Sequence, residues 1–210
     1  MPNSQPLQNS IDEVEVLKQE NIYDGHIHLI KYHLRHQLFS GGWSHTIIRE
    51  LLINRQAVGV LLYDPQRDEV VLIEQFRIGA FAPGSKPWLL EIVAGLIDGN
   101  ENPESVAKRE TLEEANCIIQ DLIPITEYWV TPGISAEKVK LFCGHVDSSN
   151  AGGIYGLADE GEDIRVRVLS RKNAYNAVIS GEINNSISII ALQWLELNYS
   201  TVQQSWSVAR

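Results

Sequence analysis

The sequence predicts an α/β fold, a mixed sheet packed between helices, with a small antiparallel sheet ahead of it. Three observations predict this. Buried-strand text, AVGVLLYD, EVVLIEQF and WLLEIVAG, recurs through the first half. A capped helical stretch follows the last of these at once. Shorter alternating strands and two further helical stretches then close the chain, an order that places helices against a mixed sheet.

Residues 1–10, rich in Pro, Asn, Gln and Ser, read as a flexible tail. Residues 11–55 read as a small β-sheet, in which Ile30, Tyr32 and Leu34 alternate with Lys31, His33 and Arg35 and a further strand covers His45 to Leu52. Such a sheet is too slight to hold a large core alone. Residues 56–210 read as the main domain. Its first two strands flank the turn PQRD, and WLLEIVAG, from Trp88 to Gly95, is a third. Strands are expected at Thr126 to Val130, at Lys138 to His145 with Val139, Leu141 and Cys143 inward, and at Ile164 to Leu169. One helix follows Ser170 as cap and stops at Gly181. The last carries Ile187, Ile190, Ala191, Trp194 and Leu195 at the spacing of a core-facing helix.

Composition narrows the function. A chain of 210 residues with 44% hydrophobic content can bury a sizeable core. The net charge of −10 argues against nonspecific nucleic-acid binding, which rests on basic surface, but a bound metal can reverse the local field for a phosphate substrate. No apolar run approaches the roughly 20 residues of a membrane span. The start, MPNSQPLQNS, lacks the apolar core of a signal peptide. Two cysteines, Cys117 and Cys143, make no disulfide framework and read as core residues of a cytoplasmic protein. His26 and His28 share a strand face near His33 and His36, yet nothing completes a tetrahedral metal set.

The chemistry concentrates between Ala94 and Cys117. Asn102 and Pro103 open a helix that runs to about Ala115, and Asn116 is a left-handed terminator. Glu110, Glu113 and Glu114 then fall within an arc of roughly 100°. Like charges four apart destabilise a helix by about 0.2–0.5 kcal/mol, and carboxylates in its last turns oppose the macrodipole. Lys108 and Arg109 offset part of this. A hard divalent cation such as Mg2+, which takes carboxylate oxygens and keeps waters, would offset more. Taken alone, such a face is ordinary solvated surface; the surrounding spacing decides otherwise.

That spacing is Gly95, five residues, Glu101, seven residues, Arg109 and Glu110, two residues, Glu113 and Glu114, one residue, Asn116. It resembles the Nudix box, the loop-helix-loop of hydrolases that cleave a nucleoside diphosphate linked to another group. One position departs: Asn116 stands where the family usually has Gly, with an expected small loss of stability and none of function. The resemblance implies the Nudix α/β-α sandwich with its mixed sheet. It also implies two or more Mg2+ ions, with Mn2+ as a substitute, held by the backbone carbonyl of Ala94 and by Glu110, Glu114 and Glu162. Glu113 would be a further ligand or an outer support, Arg109 would orient the glutamates, and Glu101 would be structural.

Two loops resemble the bacterial ADP-ribose pyrophosphatase branch of that family. In GLADEGEDI, Gly156 to Ile164, the match implies that Glu160 is the general base toward the attacking water and that Glu162 completes the metal site. A carboxylate among other acids should have a raised pKa, as a base requires. In VTPGISAEK, Pro132 lies sixteen residues beyond Asn116. That spacing marks the branch and implies that Thr131, Pro132 and Gly133 border the ligand while Glu137 hydrogen-bonds it. Arg49 and Arg77 match the branch's substrate arginines, whose planar guanidinium suits phosphate oxygens. Glu50 and Leu96 join the substrate-binding set on the same match. His26 and Ile27 fall where the branch usually puts an aromatic that stacks on adenine, a second departure. In the branch the amino-terminal sheet reaches an active site across a dimer interface, which implies a homodimer with a shared site. The expected reaction is Mg2+-dependent hydrolysis of ADP-ribose to AMP and ribose 5-phosphate. The rivals are hydrolysis of another nucleoside diphosphate sugar, such as GDP-mannose, and a noncatalytic ADP-ribose sensor.

Overall fold

The computed structural model describes residues 13–53, 55–81, 86–157, 159 and 161–207. The tail expected over residues 1–10 lies outside them. Contacts divide the described chain into two compact units, residues 13–53 with 129–137, and residues 55–128 with 138–207.

The smaller unit holds an antiparallel sheet of β1 (Val14–Asp24), β2 (His28–His36) and β3 (Ile47–Ile53), in that order. The inward and outward alternation expected for β2 is absent, because Leu29 to His36 are all half-buried. No apolar residue of this unit is among the buried core, so the sheet's weight falls on its ladder and cross-strand pairs such as Glu20 with His33 at 2.8 Å. His26 does not share a strand face with His28. It lies with Gly25 and Ile27 in the tight turn where Asp24 pairs with His28. Residues 129–137 join this unit rather than the main one, and the reason is backbone pairing: Leu52 N donates to Ile134 O at 2.8 Å and Ala136 N to Leu52 O at 2.9 Å.

The larger unit is built on β4 (Ala57–Asp64), β5 (Glu69–Phe76), β6 (Trp88–Glu91), β7 (Val93–Leu96), β8 (Asp121–Trp129, all but its last residue), β9 (Lys138–His145), β10 (Gly153–Tyr155) and β11 (Ile164–Ser170). Its main path runs β10-β11-β5-β4-β9-β8, with β6 beside β5 and β7 beside β4. Only parallel pairing of β4 with β9 interrupts the antiparallel ladders whose registers are defined, so the sheet is mixed. The helices are α1 (Pro103–Ala115), α2 (Arg171–Ser180) and α3 (Ser186–Ser207).

Alternation along β4 explains the layering. Leu61 and Tyr63 point into a cluster with Ala174, Ala191 and Leu195 of α2 and α3; Val58, Val60 and Leu62 point into another with Val106, Ala107 and Ala115 of α1. Both faces are therefore covered. This corrects the one-sided reading of β9, where Phe142 is as buried as Leu141 and Cys143.

WLLEIVAG is two strands rather than one. The chain changes partner from β5 to β4 at Ile92. The Ile92 amide donates at 3.0 Å to Ser188 Oγ of α3, and Asn185 Nδ2 reaches Leu90 O at 2.9 Å. The start of α3 thus pins the segment that carries Ala94. The short β10 has too little pattern to be legible in sequence.

Candidate active site

The helix α1 begins and ends as its sequence dictates. Asn102 accepts from Glu104 N at 2.8 Å with Pro103 in the first turn, and Asn116 closes the helix at φ 49°, ψ 37°. Asn116 N and Cys117 N bond back to Leu112 O and Thr111 O, a left-handed cap that satisfies the last carbonyls.

This end of α1 lies against β7. Glu114, 3% exposed, accepts at 3.1 Å from the amide of Ala94. The side chain of Glu110 rests on Gly95 so closely that a Cβ there would come within 2.1 Å of its carboxyl group. Any residue other than Gly would evict Glu110 from this position. Glu162 accepts from Leu157 N at 3.0 Å, and Gly156, at φ 104°, leaves room for it where a Cβ would sit 2.7 Å from Glu162 Cβ. Leu96 ends β7, partly exposed.

The acids interact. Burial, with the charges of Glu113 and Glu162, pushes the Glu110 carboxyl up to about 7, although Arg109 works the other way. Burial foremost, with Glu110 and Glu162, pushes Glu114 up to about 8 against the Ala94 hydrogen bond and the charge of Arg77. One local field therefore contains Glu110, Glu114, Glu162 and Arg77. Arg109 lies on its outer side, 2.9 Å from Glu110, 3.0 Å from Glu113 and 4.0 Å from Glu101. Glu101 also accepts from Asp98 N, which ties down the loop before α1.

Arg77 is held by Glu91, Nε to Oε2 at 2.7 Å. Sequence reasoning missed Glu91, although an acid inside the apolar run WLLEIVAG was a signal. It also missed the Leu157 amide, for which no side chain could give one.

The expected ligands thus share one side of the larger unit, yet among the described residues no three acidic, His or Cys side chains close into a ready cage for an ion. The reason is visible: each carboxylate is drawn to a different neighbour, Glu110 to Arg109, Glu114 to Ala94 N and Glu162 to Leu157 N. The donor set itself, hard carboxylate oxygens that repel one another in partly desolvated surroundings, suits a divalent cation. Glu160, expected as the base, lies outside the described residues.

The other expected substrate residues belong to the smaller unit. Arg49 and Glu50 are exposed on β3, where Arg49 Nη1 bonds Ile48 O and Glu50 lies 3.6 Å from Lys31. His26 and Ile27 are exposed in the turn between β1 and β2. Thr131 to Ile134 form a turn closed by Ile134 N to Thr131 O at 3.1 Å, with Pro132 and Gly133 exposed at its tip. Glu137 follows, its amide donating to Ser135 Oγ at 3.1 Å.

Residues 53–178 match the model of the NUDIX domain. The chain is 46% identical over 200 residues to the ADP-ribose pyrophosphatase of Haemophilus influenzae, covering 94% of this chain and 92% of that protein. It is 44% identical over 206 residues to the ADP-ribose pyrophosphatase of Escherichia coli K12, covering 98% and 99%. The GDP-mannose pyrophosphatase of Escherichia coli O1:K1 is 31% identical over 155 residues, 72% of this chain and 78% of that one. A crystal structure of an ADP compounds hydrolase shares the fold, with a TM-score of 0.70 over 93% of this chain and 99% of that one at 18% identity. Since the domain match spans more than half of the chain and the two ADP-ribose pyrophosphatases align along nearly all of it, the chain belongs to the Nudix family.

Proposed function

We propose that this protein is a Mg2+-dependent ADP-ribose pyrophosphatase that yields AMP and ribose 5-phosphate. The observation that carries the proposal is the clustering of Glu110, Glu114 and Glu162 in one field behind Gly95, with two of the three carboxyls pushed up by burial and by one another. Isolated from a cation such an arrangement is unfavourable, so its presence calls for one. The choice of substrate follows the relatives: the two named ADP-ribose pyrophosphatases match more of the chain, at higher identity, than the GDP-mannose pyrophosphatase does.

The Ala94 carbonyl, Glu110, Glu114 and Glu162 would hold the ions, with Glu113 as a further ligand or a support. Bound Mg2+, two or more ions per site, would supply neutralisation of the diphosphate charge as water displaces the leaving oxygen in line. Arg77 binds phosphate: Glu91 takes its Nε side, and the half-exposed guanidinium keeps its terminal amino groups for the substrate. Arg109 balances the charges of Glu110 and Glu113. Glu160 takes the proton of the attacking water, and Leu96 borders the ligand. Substrate contacts from the smaller unit are Arg49, Glu50, His26, Ile27, Thr131, Pro132, Gly133 and Glu137, completed in a homodimer. Among the described residues no helix is long and apolar enough to cross a membrane, and a cytoplasmic enzyme with a small-molecule substrate is the reading we adopt.

The test is turnover of ADP-ribose and GDP-mannose at equal concentration with Mg2+, with the nucleoside monophosphates quantified. AMP release well ahead of GMP release supports the proposal. Faster GDP-mannose hydrolysis replaces the substrate, and ADP-ribose binding without AMP release replaces the enzyme by a sensor.

A further inference from the structure

Gln75 is a buried polar residue that continues an apolar pair, Val71 and Ile73, along one face of its strand. On β5 it follows Val71 and Ile73 on the side packed under α1, and it is 7% exposed. Ile73 stands opposite Glu91, and Gln75 stands opposite Leu89 of β6. On the other flank Glu74 stands opposite Arg165, which brings Gln75 alongside Ile164, where β11 leaves the loop that carries Glu162. Arg77 is the next residue on the same face. Gln75 therefore lies between the Arg77 and Glu91 pair and the base of the Glu162 loop.

Its Nε2 is buried and has no hydrogen-bond partner among the described residues. A buried donor left unpaired is costly, and an unbranched apolar side chain of the same length, Met, would fill the position without that cost. An amide differs from an Arg here in one useful respect. It donates to an anion without drawing the neighbouring glutamates toward itself.

Resting on the proposed diphosphate substrate, we infer that Gln75 is a further substrate-binding residue: its amide donates to a phosphate oxygen, directly or through one water, and finds its partner only when the site is filled. The diphosphate is the acceptor-rich ligand that the neighbouring Arg77 is also placed to meet. The free protein retains an unpaired donor because binding uses it.

The experiment compares wild type and Gln75→Met by thermal unfolding without ligand and by calorimetric titration of a nonhydrolysable ADP-ribose analogue with Mg2+. The expected result is an unfolding temperature equal to or above that of wild type, with binding weaker by about tenfold, the weight of one hydrogen bond to a charged acceptor. Binding within twofold of wild type overturns the inference while leaving the substrate reading in place. A wild type that fails to bind the analogue overturns both. If Gln75→Met does not fold, Gln75→Asn, an amide one methylene shorter, takes its place: weaker binding at an unchanged unfolding temperature supports the inference, and unchanged binding overturns it.

Discussion

Replacing Glu114 by Gln separates the cost of a buried acid from its use. In the metal-free protein the Glu114 carboxyl is raised from 4.5 to about 8 by burial, helped by Glu110 and Glu162. A raised carboxyl contributes stability that is complete below the ordinary value and is lost as pH climbs through the folded one. The penalty of ionising it is therefore present at pH 9 and absent at pH 4. At 1.36 kcal/mol for each pH unit the ceiling is about 5 kcal/mol. Local relaxation and water entry reduce it, and about 2 kcal/mol is expected. The amide keeps an oxygen for the Ala94 N–H and carries no charge. Glu114→Gln without metal should therefore unfold about 4–8 °C above wild type at pH 9, and together with it near pH 5. Added Mg2+ should reverse the order at pH 9, because a ligand at a hundred times its dissociation constant stabilises wild type by about 2.7 kcal/mol and the variant hardly at all. Thermal unfolding in EDTA and in Mg2+ across pH 5 to 9 reads all of this. A variant less stable than wild type at pH 9 in EDTA would mean instead that the carboxylate is already compensated by groups of the chain itself and has no need of a cation.

Other expectations follow from the same geometry. Glu110, pushed up to about 7, and Glu114 are largely protonated at pH 6.5, so Mg2+ binding at that pH should release protons, and calorimetric enthalpies should change with the buffer's ionisation enthalpy; identical enthalpies in all buffers would contradict this. Arg77→Lys should lower kcat/KM for ADP-ribose by about ten- to a hundredfold with unfolding temperature within a few degrees, because Lys lacks the fork that binds Glu91 and phosphate together. Gly95→Ala should abolish turnover, since its Cβ occupies the position of the Glu110 carboxyl; activity near wild type would remove Glu110 from the site. Asn116→Gly should raise stability by about 0.5–1 kcal/mol at unchanged turnover, because φ 49° suits Gly and the contact it gives up, Nδ2 to Tyr155 OH at 3.4 Å, is long; equilibrium denaturation measures it.

What the sequence made legible depended on how local its cause was. The limits of α1 are written in Asn102, Pro103 and Asn116, and those of α2 in Ser170 and Gly181, because caps act within a turn. The arc of Glu110, Glu113 and Glu114 follows from helical period alone. Their depths do not: Glu114 is buried while Glu113 is half-exposed, a difference set by β7, which approaches from twenty residues upstream. The break at Ile92 is likewise nonlocal, since it exists because the chain changes sheet partner and Ser188 meets the freed amide. Residues 129–137 grouped with the small sheet for a similar reason, a ladder to Leu52 that no local pattern announces. Glu91 stood in plain view within an apolar run, and its meaning required knowing that the Arg77 side chain reaches it from the end of the neighbouring strand.

The central claim is that Glu110, Glu114 and Glu162 serve a divalent cation that works on a sugar nucleotide. AMP formation from ADP-ribose, followed in protein stripped with EDTA and then titrated with Mg2+, tests it most directly. No AMP should form before the addition, and its release should rise and then saturate with Mg2+. AMP release at full rate in EDTA, or none at any Mg2+ concentration, would contradict it.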